Sequence, residues 1–262
     1  MTIKRCAQIA ASDPRFAPLA DACEYALSPN NLPSFVCDES VQQFTSASGP
    51  ENWQKLADVT AIVTFDHKKE ERFSNLSRNG QPIRALSKPH HGQDVDLYFA
   101  YNLKSPAPQL SLFGTDLVWV FDARDEADFE YKGEINADDR TMTVFGFRVT
   151  KSPKHLPAMG WHTPEDDGQY LGIQGLLWID KANVSLRRLV RHFTDFEPRF
   201  GVAAWSSAVD YGWVQISDLG KFLLPTNAEE IRCNQGGSCR RDVLSFNNCH
   251  RFAGKSRILP AQ

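Results

Sequence analysis

The 262-residue sequence is poor in the signatures that assign a chemistry. It holds no G-x-S-x-G elbow, no H-E-x-x-H pair, no phosphate-binding loop and no G-x-G-x-x-G turn, so catalytic and nucleotide-binding readings have no motif to rest on. Charge of either sign is not in excess: 29 basic against 32 acidic residues leave a net charge of −3. That balance gives no electrostatic footprint for nucleic acid or for an anionic membrane surface. No apolar run approaches the ~20 residues of a membrane span. The opening MTIKRCAQIAA has two basic residues but no apolar stretch behind them, so it is not a complete secretory signal. No cofactor, no nucleic-acid partner and no transmembrane segment are therefore expected.

Strand patterns dominate what is present. From Gly168 to Arg232 the chain reads as consecutive antiparallel hairpins. The first rises through Leu176, Leu177, Trp178 and Ile179, turns at Asp180-Lys181-Ala182-Asn183 and returns through Val184, Leu186 and Leu189. The second rises through Val209, Tyr211 and Trp213, turns near Asp218-Leu219-Gly220 and comes back through Leu223 and Leu224 to a stop at Pro225. β-Branched and aromatic residues bounded by Asp, Asn, Gly and Pro carry this reading. Further strands are expected at 34–45, 58–65, 70–76, 127–135, 140–150, 228–233, 239–246 and 252–259, with a tight turn at Asn79-Gly80. Residues 151–169 read as a long surface loop. The run Arg187-Arg188 with Arg191-His192 and the pair Glu229-Glu230 read as solvated charges.

Two segments have helical spacing. In 14–28, Phe16, Leu19, Ala20, Cys23 and Leu27 share one face, Asp13 can cap, and Pro14 suits the first helical position. In 109–122, Leu110, Phe113, Leu117, Val120 and Phe121 recur at helical steps. The expected organisation is an N-terminal helical arm, 1–31, followed by one β-sheet domain, 32–262, with a helix inserted near 109–122.

Six cysteines permit three disulfides. Cys233 and Cys239 bracket the hairpin loop NQGGS and can face each other across it; free thiols or a metal site are the alternatives. Cys23, Cys37 and Cys249 can pair if the first strand lies beside the last. The pair His90-His91, followed by Asp94 and Asp96, meets no metal spacing and reads as a solvated loop. No metal site and no catalytic residue are assigned.

One sheet carrying all these strands must curl to bury its apolar face, and two helices plug such a hollow only in part. The expected fold is α+β and β-dominated: one strongly bent antiparallel sheet with helices on its concave face. Phe113, Leu117, Phe145, Phe147, Trp178, Tyr211 and Trp213 are the candidate lining of the hollow. An aromatic-lined hollow suits an acyl chain or an apolar peptide segment. The alternatives are an interior filled completely by side chains, as in an envelope scaffold that binds a partner protein, and a hydrolase using His90, His91 or His162.

The hairpin GLLWIDKANVSLRRL and the segment VDYGWVQISDLGKFLLPTNAEEI resemble the periplasmic lipoprotein-carrier and outer-membrane lipoprotein-sorting superfamily. In that group a strand ending Trp-Ile-Asp turns and returns with a basic residue before an apolar one, here Trp178-Ile179-Asp180 and Arg188-Leu189. Leu32–Cys37, the Trp53…Asp58-Val59 step, Val209–Tyr211 and Leu223–Pro225 are similar to uncharacterised exported bacterial proteins. The resemblance spans about residues 32–258. It implies a half-barrel with helices on the concave side, a periplasmic or secreted location, no enzymatic activity, and a lipid or lipoprotein acyl chain as partner.

Overall fold

The computed structural model describes residues 6–9, 11, 13–27, 32–65, 71–83, 117, 120–121, 127–137, 139–152, 171–198 and 201–252. Eleven strands form one antiparallel sheet: β1 (Phe35–Ser46), β2 (Gln54–Phe65), β3 (Glu71–Arg78), β4 (Gln81–Pro82), β5 (Asp128–Ala137), β6 (Arg140–Val149), β7 (Gly172–Asp180), β8 (Ser185–Thr194), β9 (Val202–Ile216), β10 (Gly220–Asn234) and β11 (Cys239–Arg251). Across the sheet the order is β4-β3-β2-β1-β11-β10-β9-β8-β7-β6-β5. Chain neighbours pair except β4 and β5, which form the two edges, and one long-range join sets β1 against β11. The sheet is bent and not closed into a barrel.

Local chemistry explains most joints. Asn79 and Gly80 both take positive φ, as the predicted tight turn requires. The strand expected to stop at Pro225 does not stop. β10 runs on to Asn234 and absorbs the proline by a register shift between Pro225 and Asn227. Proline has no N–H for the ladder, so a bulge is where a strand can hold it. The strand expected at 228–233 is therefore the second half of β10. β11 continues past Phe246 to Arg251; Phe252 lies outside the strand, and 253–259 fall outside the described residues.

An N-terminal helix crosses the concave face. Asp13 accepts a hydrogen bond from the Arg15 backbone N–H at 2.8 Å, Pro14–Phe16 make a 3-10 turn, and helix α1 follows as Ala17–Leu27. Near its start Phe16 packs on Phe145 of β6, ring centroids 5.7 Å apart. Towards its end the Tyr25 hydroxyl donates to the Leu223 carbonyl of β10 at 2.8 Å. Those anchors are about 14 Å apart along the helix. The four strand spacings between β6 and β10 measure about 19 Å along the sheet. A shorter chord under a longer arc is consistent with the bend. Leu117, Val120 and Phe121, from the predicted inserted helix, are helical and buried in the same core; Phe121 stacks on Phe129 of β5. The opposite face is wet and carries ion pairs such as Arg188–Asp210 (2.6 Å) and Arg241–Glu229 (2.5 Å).

All six cysteines are paired: Cys6–Cys23, Cys37–Cys249 and Cys233–Cys239. The last is the hairpin bridge expected from NQGGS. Cys37–Cys249 ties β1 to β11 across a sequence separation of 212, against 6 for the hairpin bridge. In the chain-entropy account the larger loop contributes about 5 kcal/mol and the smaller about 2 kcal/mol. Replacing Cys37 and Cys249 by serine should therefore lower the denaturation free energy clearly more than replacing Cys233 and Cys239. Urea titrations of the two double variants check this, and equal losses would contradict it.

Candidate ligand-binding face

Side chains in a strand alternate between faces, so register decides which residues share the concave side. One row there is apolar from β2 to β6. It runs Val59, Val41, Leu244, Ala228, Val209, Leu189, Leu177 and Phe145, each a cross-strand partner of the next and each buried. Tyr131 on β5 extends it by one strand.

Two residues further along each central strand the same face turns polar. The partners are now Gln43 on β1, Asp242 on β11, Glu230 on β10, Ser207 on β9 and Arg191 on β8. One more step brings Arg240, Arg232, Trp205 and Phe193 into line. Arg191 is 0% exposed and donates from Nε to Ser207 Oγ at 3.0 Å. Gly175 faces it from β7, where an added Cβ would lie 1.9 Å from the Val190 carbonyl oxygen and 2.9 Å from the Phe147 ring. Arg240 Nε reaches both oxygens of Asp242 at 3.1 and 3.0 Å. Trp205 stacks flat on Phe193, centroids 3.9 Å apart.

Burial sets the protonation here. Glu230 is half-buried, and protein crowds its carboxyl. Desolvation, with Asp242 beside it, pushes it from 4.5 to about 8, against the pull of Arg232, Arg191 and Arg240. Burial also raises Asp242, opposed by Arg240, and lowers the Arg232 guanidinium. Three arginines against two carboxyls, one of them holding its proton at neutral pH, leave this end of the face positive.

The sequence-predicted lining divides. Leu117, Phe145, Phe147 and Tyr211 are buried in the core. Trp178 pairs with Arg188, whose other neighbour is Asp210, so its indole belongs to the convex row. Trp213 is 45% exposed. Phe113, His90, His91, His162 and most of the loop 151–169 lie outside the described residues. Arg191 and Glu230, read as solvated, are not: Leu189-x-Arg191-x-Phe193 and Ala228-x-Glu230 carry them inward with apolar neighbours of the same parity. That parity was the available signal. A separate groove lies at the turns away from this face, where Arg140 pairs with the buried Asp180 at 3.0 Å.

No protein-family model and no curated protein matches the chain. Solved structures are similar in chain course. A LolA superfamily protein from Nitrosomonas europaea shares 11% identity over 91% of this chain and 94% of its own, with a TM-score of 0.37. A DUF1329 family protein from Desulfovibrio piger shares 13% over 93% and 95%, with a TM-score of 0.42. A domain predicted to be that of an outer membrane lipoprotein-sorting protein from Vibrio parahaemolyticus shares 10% over 90% and 93%, with a TM-score of 0.35. The first and third carry the family names of the sequence resemblance.

The raised Glu230 has a thermodynamic signature. Below pH 4.5 folded and unfolded chains both hold its proton. Between 4.5 and about 8 only the folded chain does, so this group costs stability progressively as pH rises through that window. Glu230→Gln should match the wild type at the acid end and exceed it by about 1 kcal/mol or more above pH 8. Denaturant titrations at both ends decide this; an offset independent of pH would refute the assignment.

Proposed function

We propose that the protein is an exported, non-enzymatic carrier that holds an apolar ligand, a lipid or a lipoprotein acyl chain, against the concave face of its half-barrel. The observation that carries this reading is the unbroken apolar row from β2 to β6 on an open sheet. Eight apolar side chains in line make a floor that runs beyond the anchors of α1 on β6 and β10. The helices rest on that floor through side chains, as at Phe16, Tyr25 and Phe121, and not through backbone pairing. An acyl chain can exchange for the ring contacts of Phe16 and Phe121 at little net cost, because both are apolar. Three disulfides fit an oxidising compartment outside the cytoplasm.

Native mass spectrometry of gently purified protein tests the reading. A bound mass lost on organic extraction is expected, with uptake of a fluorescent fatty acid by the extracted protein. A clean apo mass together with no uptake would overturn it and favour a filled scaffold.

A further inference from the structure

We propose that the arginine-lined end of the concave face seats an anionic headgroup, carboxylate or phosphate, of the amphiphile whose chain lies along the apolar row. This rests on the carrier reading and adds the ligand's polar chemistry and its orientation.

Two buried donors at this end of the face are unsatisfied among the described residues. They are Arg240 Nη2 and Trp205 Nε1, and Trp205 is only 6% exposed. Buried polar groups are satisfied in the great majority of native structures, and each exception asks for a cause. Both atoms are N–H donors, and a donor is satisfied only by an acceptor. Carboxylate and phosphate oxygens supply several acceptors at once.

Position supports the same conclusion. Arg240 and Trp205 both neighbour Arg232, in the row beyond Glu230. Rows of one face are about 7 Å apart along a strand. Two such steps lead from the Arg240 row to the apolar row at Ala228 and Val209, so head and chain of one amphiphile span them. The end is also reachable: the side chains of Arg240 and Asp242 keep 20% and 12% of their surface exposed. A purely structural ion pair would need only Arg240 and Asp242. The additional Arg191 and Arg232 give the positive excess an anion requires. A neutral, chain-only ligand would leave the donors bare.

The test uses the full disulfide-bonded chain, extracted of lipid, near pH 7. Dodecanoate, dodecyl phosphate, dodecanol and inorganic phosphate are titrated in turn. At least one anionic amphiphile should bind about tenfold or more tighter than dodecanol, and Arg240→Gln and Arg232→Gln should each remove most of that advantage while leaving dodecanol binding unchanged. Arg241→Gln, one residue away on the convex face, should change neither. The comparison among ligands on unmodified protein needs no variant to fold. Equal binding of dodecanol and both anions would overturn the headgroup assignment and leave the carrier reading standing. Inorganic phosphate binding as tightly as dodecyl phosphate would overturn it in favour of a free-anion site. Failure of every amphiphile would sink both readings together.

Discussion

The structure depends on one constraint: the two-residue period of a strand, held in register from one edge of an open sheet to the other. With one face dry and one wet, a slip of a single residue anywhere turns an entire strand inside out. On β8 it would put Arg188 and Val190 where Leu189 and Arg191 now lie. Register is pinned by local devices: the Asn79-Gly80 turn, the bulge that passes Pro225, and the shift between Tyr131 and Gly133 on the edge strand β5. Everything said of the concave face follows from that sorting.

The sorting produces a floor that is amphipathic along its length. Taking an ion out of water costs several kcal/mol, and pairing recovers this only where geometry is good. Arg191, Arg232, Arg240, Glu230 and Asp242 on the dry side are thus a poor way to stabilise a sheet. Leucine or valine at 191, 230 and 232 would serve packing better. The charged side chains there, and the proton that burial keeps on Glu230, are a cost that the proposed headgroup seat would account for.

Much of the fold was legible in the sequence. Strand alternation placed the central hairpins, Asp13-Pro14 placed the start of α1, and NQGGS placed the Cys233–Cys239 bridge. What escaped was non-local or overrode local preference. Proline argued for a strand end at 225, because a bulge depends on the partner strand and not on the residue. Trp178 looked like lining because Leu177, Trp178 and Ile179 form a continuous apolar run; only pairing with Arg188 tells which face the indole takes. Arg191 and Glu230 looked solvated because charge is a stronger habit than parity, and their burial needs neighbours from distant parts of the chain. The Cys37–Cys249 pair was open to the sequence only as a possibility, since β1 meets β11 by topology alone.

That meeting of first and last strands has a temporal side. β1 finds one neighbour, β2, a few residues away, but its other neighbour begins only at Cys239. A chain that emerges amino end first must keep the outer edge of β1 bare until nearly all of it has been made. Pairings so remote form late and slowly. The local hairpins can close while the chain is still growing, but the bond between Cys37 and Cys249 must wait for the last strand, and it locks the one join that nothing local could make.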